Sequence, residues 1–121
     1  MKELRVEFHS EFHSSFLIHN YKMVLARVVG TVVSNHKDKK MEGIKLLLLE
    51  KIDAVTLKGK NDFVVAMDAV GAGKNEIVFF VTGSSARLAK LTEGLPTDAT
   101  VIAIVDNIEK EGNFTYQKDK S

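Results

Sequence analysis

A mainly β domain follows from three features of the 121-residue sequence. Short apolar runs rich in Val, Ile and Leu recur at close spacing. Clusters of Gly, Asn, Asp, Ser or Pro separate them, and a single stretch carries helix-start signals. Five strands plus a hairpin are too few for an immunoglobulin-sized sandwich. They suit a small, partly open five-stranded barrel with one short helix and a C-terminal β-hairpin, because closure removes most free sheet edges.

The elements follow in order. Residues 23–33 are Val-rich and end in Gly30-Thr31-Val32-Val33, a first strand whose branched side chains suit a pleated surface. Residues 34–40 form a polar loop. Residues 43–53 hold Ile44-Lys45-Leu46-Leu47-Leu48-Leu49, too short for a typical helix and read as a second strand covered on both faces. Lys58-Gly59-Lys60-Asn61-Asp62 is expected to turn into a third strand over 63–67, and Gly71-Ala72-Gly73 breaks the chain before a fourth over 77–81. Ser84 or Ser85 can cap a short helix reaching about Leu91, and Gly94-Leu95-Pro96 turns the chain. Residues 99–105 make the fifth strand. Glu111-Gly112-Asn113 is a hairpin turn into Phe114-Thr115-Tyr116, and 118–121 is a polar tail.

The bulk properties narrow the function. A net charge of +1, from 17 basic and 16 acidic residues, gives no broad field for nucleic acid or an anionic membrane. Cysteine is absent, which excludes disulfides and thiolate metal sites and suits a reducing cytosol. The apolar run Leu46 to Leu49 is far short of the roughly 20 residues a membrane helix needs. The N-terminus, with Glu3, Glu7 and Glu11, lacks the continuous apolar stretch of a signal peptide.

Four motifs invite chemistry. Val70-Gly71-Ala72-Gly73-Lys74-Asn75 resembles part of a phosphate loop, but Asp68 stands at the first glycine position and Asn75 where a hydroxyl should hold magnesium. A tight turn, with glycines allowing positive φ or close approach of a neighbouring chain, explains it better. His9 and His13 are spaced for one helical face, yet His19 and His36 supply no obvious third ligand, so no metal or cofactor is expected. Ser84, Ser85 and Arg87 lack a histidine base nearby, so a helix cap and an exposed or interfacial arginine outweigh a nucleophile site. Small OB-like barrels often bind single-stranded nucleic acid, which keeps that reading as an alternative. It requires aromatic platforms, and adjacent Phe79 and Phe80 point to opposite faces; the basic loop Lys37, Lys39, Lys40 is interrupted by Asp38.

Several segments, in this order and spacing, resemble the EutN/CcmL family of bacterial microcompartment vertex proteins. They are Ala26-Arg27-Val28-Val29-Gly30-Thr31-Val32-Val33, Gly43-Ile44-Lys45-Leu46-Leu47-Leu48-Leu49, Asp68-Ala69-Val70-Gly71-Ala72-Gly73, Gly83-Ser84-Ser85-Ala86-Arg87, and Pro96-Thr97-Asp98-Ala99 with Val101-Ile102-Ala103-Ile104-Val105-Asp106. The resemblance implies a structural, non-enzymatic subunit of a cytoplasmic microcompartment shell, forming homo-pentamers at the vertices among hexameric shell proteins. It places Gly83, Ser84, Ser85, Ala86 and Arg87 near subunit contacts and the central opening. It makes Gly71, Gly73 and Glu76 an interface loop, with Arg87 expected to pair with an acidic residue of the next subunit, Glu76 being the candidate.

The resemblance covers Met23 to about Tyr116, so the barrel domain is expected over 23–117, with 1–22 as an extension and 118–121 as a tail. Phe8, Phe12 and Phe16 recur every four residues, which would put them on one helical face. That face would suit an amphipathic segment docking on shell or cargo. An upstream start chosen in error, with Met23 the true beginning, reads the same residues equally well.

Overall fold

The computed structural model describes residues 4–10, 23–33, 45–83 and 99–118, with the backbone alone at 8–10. Seven strands appear among these residues: β1 Leu4–Ser10, β2 Val24–Val32, β3 Leu46–Ile52, β4 Gly59–Asp68, β5 Ile77–Thr82, β6 Ala99–Lys110 and β7 Asn113–Gln117. Their order, β1-β6-β4-β3-β2-β5 with β5 returning to β6, closes β2–β6 into a five-stranded barrel. The narrowest seam is β4–β6, a parallel contact of two residue pairs, Met67 with Thr100 and Asp68 with Val101. All other pairings are antiparallel.

The strands β2, β3, β5 and the first half of β6 form where an apolar run meets a surface to bury it. Ala26, Val28, Leu47, Leu49, Ala66, Val78, Phe80, Ala99 and Val101 fill the barrel, together with Ala72 from the β4–β5 loop. A second cluster, Leu25, Ile52, Ile77, Val105 and Ile108, packs under Val6, Ala54, Leu57, Phe79 and Tyr116. Leu25 and Phe79 alternate with Ala26 and Phe80, so this cluster lies on the opposite face of β2 and β5. β5 is therefore packed on both sides, as its nearly uninterrupted apolar sequence requires.

Three elements differ from the sequence expectations. The β3–β4 turn occupies 53–58, whereas the expected turn was Lys58–Asp62: Asp53 Oδ1 accepts the N–H groups of Val55 and Thr56, both at 2.8 Å. Hydrogen bonds from Thr56 and then Val55 hold the Asp53 carboxyl below its ordinary pKa. This local bonding outcompetes the glycine signal six residues on. β6 runs on to Lys110 because its far half has its own partners, β1 and β7. Residues 4–10 form a strand, not a helical face, since edge pairing along β6 satisfies the backbone and seats Val6. The expected helix after Ser84, and Phe12 and Phe16, lie outside the described residues.

The β6–β7 hairpin forms where expected, with Glu111 and Gly112 between the paired Lys110 and Asn113. Both turn residues have positive φ, 52° and 85°, the requirement of a type I′ turn. Glutamate bears a steric cost in that region which asparagine largely avoids. Glu111→Asn should therefore raise unfolding stability by roughly 0.5–1 kcal/mol in urea titration, with an unchanged m-value.

Candidate functional site

The loop from β4 to β5 holds three of the residues singled out in the sequence: Gly71, Gly73 and Glu76. Asp68, the last residue of β4, turns its carboxylate onto the loop. Its Oδ1 accepts N–H groups from Val70 at 3.1 Å, Gly71 at 2.9 Å and Ala72 at 3.2 Å. Gly71 takes φ +77°, where a side chain is strained. Ala72 is fully buried, and its carbonyl accepts a 3.2 Å bond from Lys45 Nζ. These bonds explain why the phosphate-loop reading fails. The backbone N–H groups a phosphate would need already face an internal carboxylate.

Glu76 closes the loop. One carboxylate oxygen accepts the Gly73 N–H, and the other lies 3.0 Å from Lys118 Nζ. A Cβ at Gly73 would stand 3.3 Å from that carboxylate, so the close approach serves this chain's own Glu76. Asn75 N–H and Glu76 C=O bond to the carbonyl and N–H of Val28 at 2.8 and 2.9 Å, fixing the loop to β2 beside its bulge. Lys118 is itself held, its N–H bonded to the Asp106 carbonyl at 2.7 Å. Burial pushes the Glu76 carboxyl up, but the Gly73 N–H and the Lys118 charge, with Lys45 beyond, outweigh it and hold the pKa below its ordinary value.

Gly83 directly follows β5 and has φ +66°. Ser84, Ser85, Ala86 and Arg87 lie outside the described residues. Glu76 stands just before β5 and Gly83 just after it, so roughly 20 Å of strand separates them within one subunit.

Sequence reasoning missed a second surface. Phe63 and Val65 on β4 are each 49% exposed, and both alternate with inward Val64 and Ala66. Val65 sits opposite the half-buried Leu48 of β3, and Leu48 opposite Gly30 of β2. Over residues 60–66 the second edge of β4 pairs with no strand among the described residues. An apolar stripe beside an open edge marks a contact surface. Its signal was the unbroken run Phe63-Val64-Val65-Ala66-Met67, where a strand with one wet face would alternate.

Other chemistry finds little support here. Phe80 is buried and Phe79 packs against the core, which leaves neither as a stacking platform for a base. Among the described residues no group of three His, Asp or Glu converges for a metal. No helix among them is long and apolar enough to cross a membrane.

Residues 23–106 match the family described as ethanolamine utilisation protein EutN/carboxysome. The chain belongs to the EutN/CcmL family. The carboxysome shell vertex protein CcmL of Gloeobacter violaceus is 43% identical over 96 residues, covering 79% of this chain and 95% of that protein. The microcompartment shell vertex protein EutN of Salmonella typhimurium is 41% identical over 98 residues, 79% of this chain and 96% of that one. Among solved structures, Gloeobacter violaceus CcmL superposes with a TM-score of 0.73 at 41% identity, covering 80% of this chain and 99% of that chain. GrpN of Rhodospirillum rubrum, a pentameric microcompartment shell protein, superposes with a TM-score of 0.63 at 40% identity, over 71% of this chain and 96% of its own. The EutN/CcmL match starts at Met23, which places β1 ahead of the matched region.

The lowered Glu76 pKa has a definite sign. Its stabilising contribution is complete above the carboxylate pKa of the unfolded chain and is lost as pH falls through the lower folded value. Acidification through that range should lower the protection factor of the Gly73 amide, its exchange rate relative to the intrinsic rate at the same pH, read by NMR. Glu76→Gln should flatten this pH dependence at Gly73 while leaving β3 amides unchanged.

Proposed function

We propose that this chain is a structural subunit of a bacterial microcompartment shell, five copies forming the ring that occupies a vertex. It acts in the cytoplasm as part of the shell and catalyses no reaction. The observation that carries the reading is the extent of likeness: the chain aligns over 95% of a carboxysome shell vertex protein and 96% of the pentameric GrpN chain. Hexagonal tiles alone pave a flat layer, and pentagonal units let it close, so the natural neighbours of the ring are hexameric shell proteins.

The physics of the barrel suits a rigid vertex. A head-to-tail contact repeated about an axis closes into a ring when its rotation closes. Such a contact needs two different surfaces on one subunit. The loop at Gly71, Gly73 and Glu76 and the Gly83–Arg87 segment serve as one complementary pair, with Arg87 reaching the Glu76 carboxylate of the next subunit. An arginine fork suits a carboxylate that already holds a lysine and a backbone N–H, because oxygen lone pairs remain. The Phe63 and Val65 stripe adds apolar area to the ring contact. The barrel domain spans 23–117, with 118–121 as a tail.

Native mass spectrometry of the purified protein should give five times the 13.4 kDa chain mass. Phe63→Asp with Val65→Asp should shift that population to smaller species, with unchanged far-ultraviolet circular dichroism. Arg87→Ala should also deplete the pentamer; an undiminished pentamer would remove Arg87 from the contact. A monomer at every concentration would refute the ring for the isolated chain.

A further inference from the structure

The N-terminal strand lies ahead of residues 23–106, the span of the family match. β6 is longer than the strands beside it. One of its edges pairs with β5 over 99–104 and β7 over 107–110. The other meets β4 only at Thr100 and Val101 and then runs on alone. β1 takes up that remaining edge, from Leu4 opposite Lys110 to Ser10 opposite Ala103, with a bulge after Glu7. Without it, residues 103–110 would present a row of unpaired backbone groups.

The side chains of β1 fit this place in one register. Val6 stands opposite the fully buried Ile108 and packs into the second core cluster. Arg5 stands opposite Glu109, and Glu7 accepts a 3.4 Å bond from Asn107 Nδ2. Arg5 and Glu7 also pair with each other at 3.3 Å. A slip of one residue would turn Val6 to water and set charges against the apolar cluster. The connection is long enough to close within one chain. Ser10, Ala103, Phe79 and Leu25 lie on successive strands β1, β6, β5 and β2, three spacings or about 14 Å, and twelve residues, 11–22, bridge them.

We propose that the outer edge of β6 over 103–110 is a strand-addition site, and that this chain closes it with its own residues 4–10. The site fits an extended segment with an apolar residue at the Val6 position, a cation facing Glu109 and an acceptor facing Asn107. Residues 1–22 are then a working part of the protein: they keep this edge from taking strands of other copies. The inference does not depend on ring size.

The absence of native cysteine makes the test clean. Full-length Arg5→Cys/Glu109→Cys, treated with oxidised glutathione, should form an intrachain disulfide, seen as the loss of two hydrogens from the intact mass at monomer mobility. The pair Arg5→Cys/Asn107→Cys, out of register, should not. A ladder of disulfide-linked oligomers would show the strand exchanged between copies, and equal cross-linking of both pairs would show no fixed register; either result overturns the proposal. In the full chain, Val6→Asp should speed exchange of the β6 amides facing β1 at least tenfold and leave β3 unchanged. A synthetic peptide of residues 1–10 should restore their protection, and the same peptide carrying Val6→Asp should not. Unchanged exchange in the variant, or no rescue by the wild-type peptide, would overturn the site.

Discussion

β6 bears the constraint on which the other elements depend. A closed barrel needs every strand paired on both sides, and β6 completes the ring between β5 and β4 while extending to hold β7 and β1. Val101, Ile102, Ala103, Val105 and Ile108 are all fully buried along it. Over 101–105, Val-Ile-Ala-Ile-Val, it carries no polar face, and Asp106, Asn107 and Glu109 follow only in the half that extends beyond β5. The parallel seam with β4 is only two pairs wide, so packing between facing side chains, more than ladder hydrogen bonds, holds the barrel shut there.

Much of this was legible in the residues, and the exceptions have physical causes. The β2, β3, β5 and β6 cores were marked by branched residues between turn signals, and the Glu111–Gly112 turn by its glycine. The β3–β4 turn was misplaced because Gly59 is a stronger sequence mark than Asp53, although the aspartate's side chain makes the turn. β1 was missed although Leu4-Arg5-Val6-Glu7-Phe8-His9 alternates apolar and polar residues, because the four-residue spacing of Phe8, Phe12 and Phe16 pointed to a helical face. The open edge of β6 and the seat for Val6 decide for the strand. The loop at Gly71 and Gly73 was recognised, but its internal bonding was not. Nothing in local spacing reveals that Asp68 gathers three N–H groups or that Lys118, over 40 residues later, meets Glu76.

The same economy links fold to function. The demands of the proposed vertex role are geometric: a stiff body and two surfaces that recognise each other. The barrel supplies the stiffness through a core packed on both faces of β5. The β4–β5 loop is fixed at both ends and in the middle, by Asp68, by Lys45 on the Ala72 carbonyl and by Glu76 with Lys118. A loop tied down in this way can define an angle between neighbours, which a mobile loop cannot. The exposed stripe at Phe63 and Val65 lies on the same rigid frame.

Electron microscopy of the purified 121-residue chain shows whether this rigid barrel makes five-fold rings. Two-dimensional averages viewed down the axis should show five equal lobes about a central opening. Averages with another symmetry, or fields of single barrels at all concentrations, would contradict it.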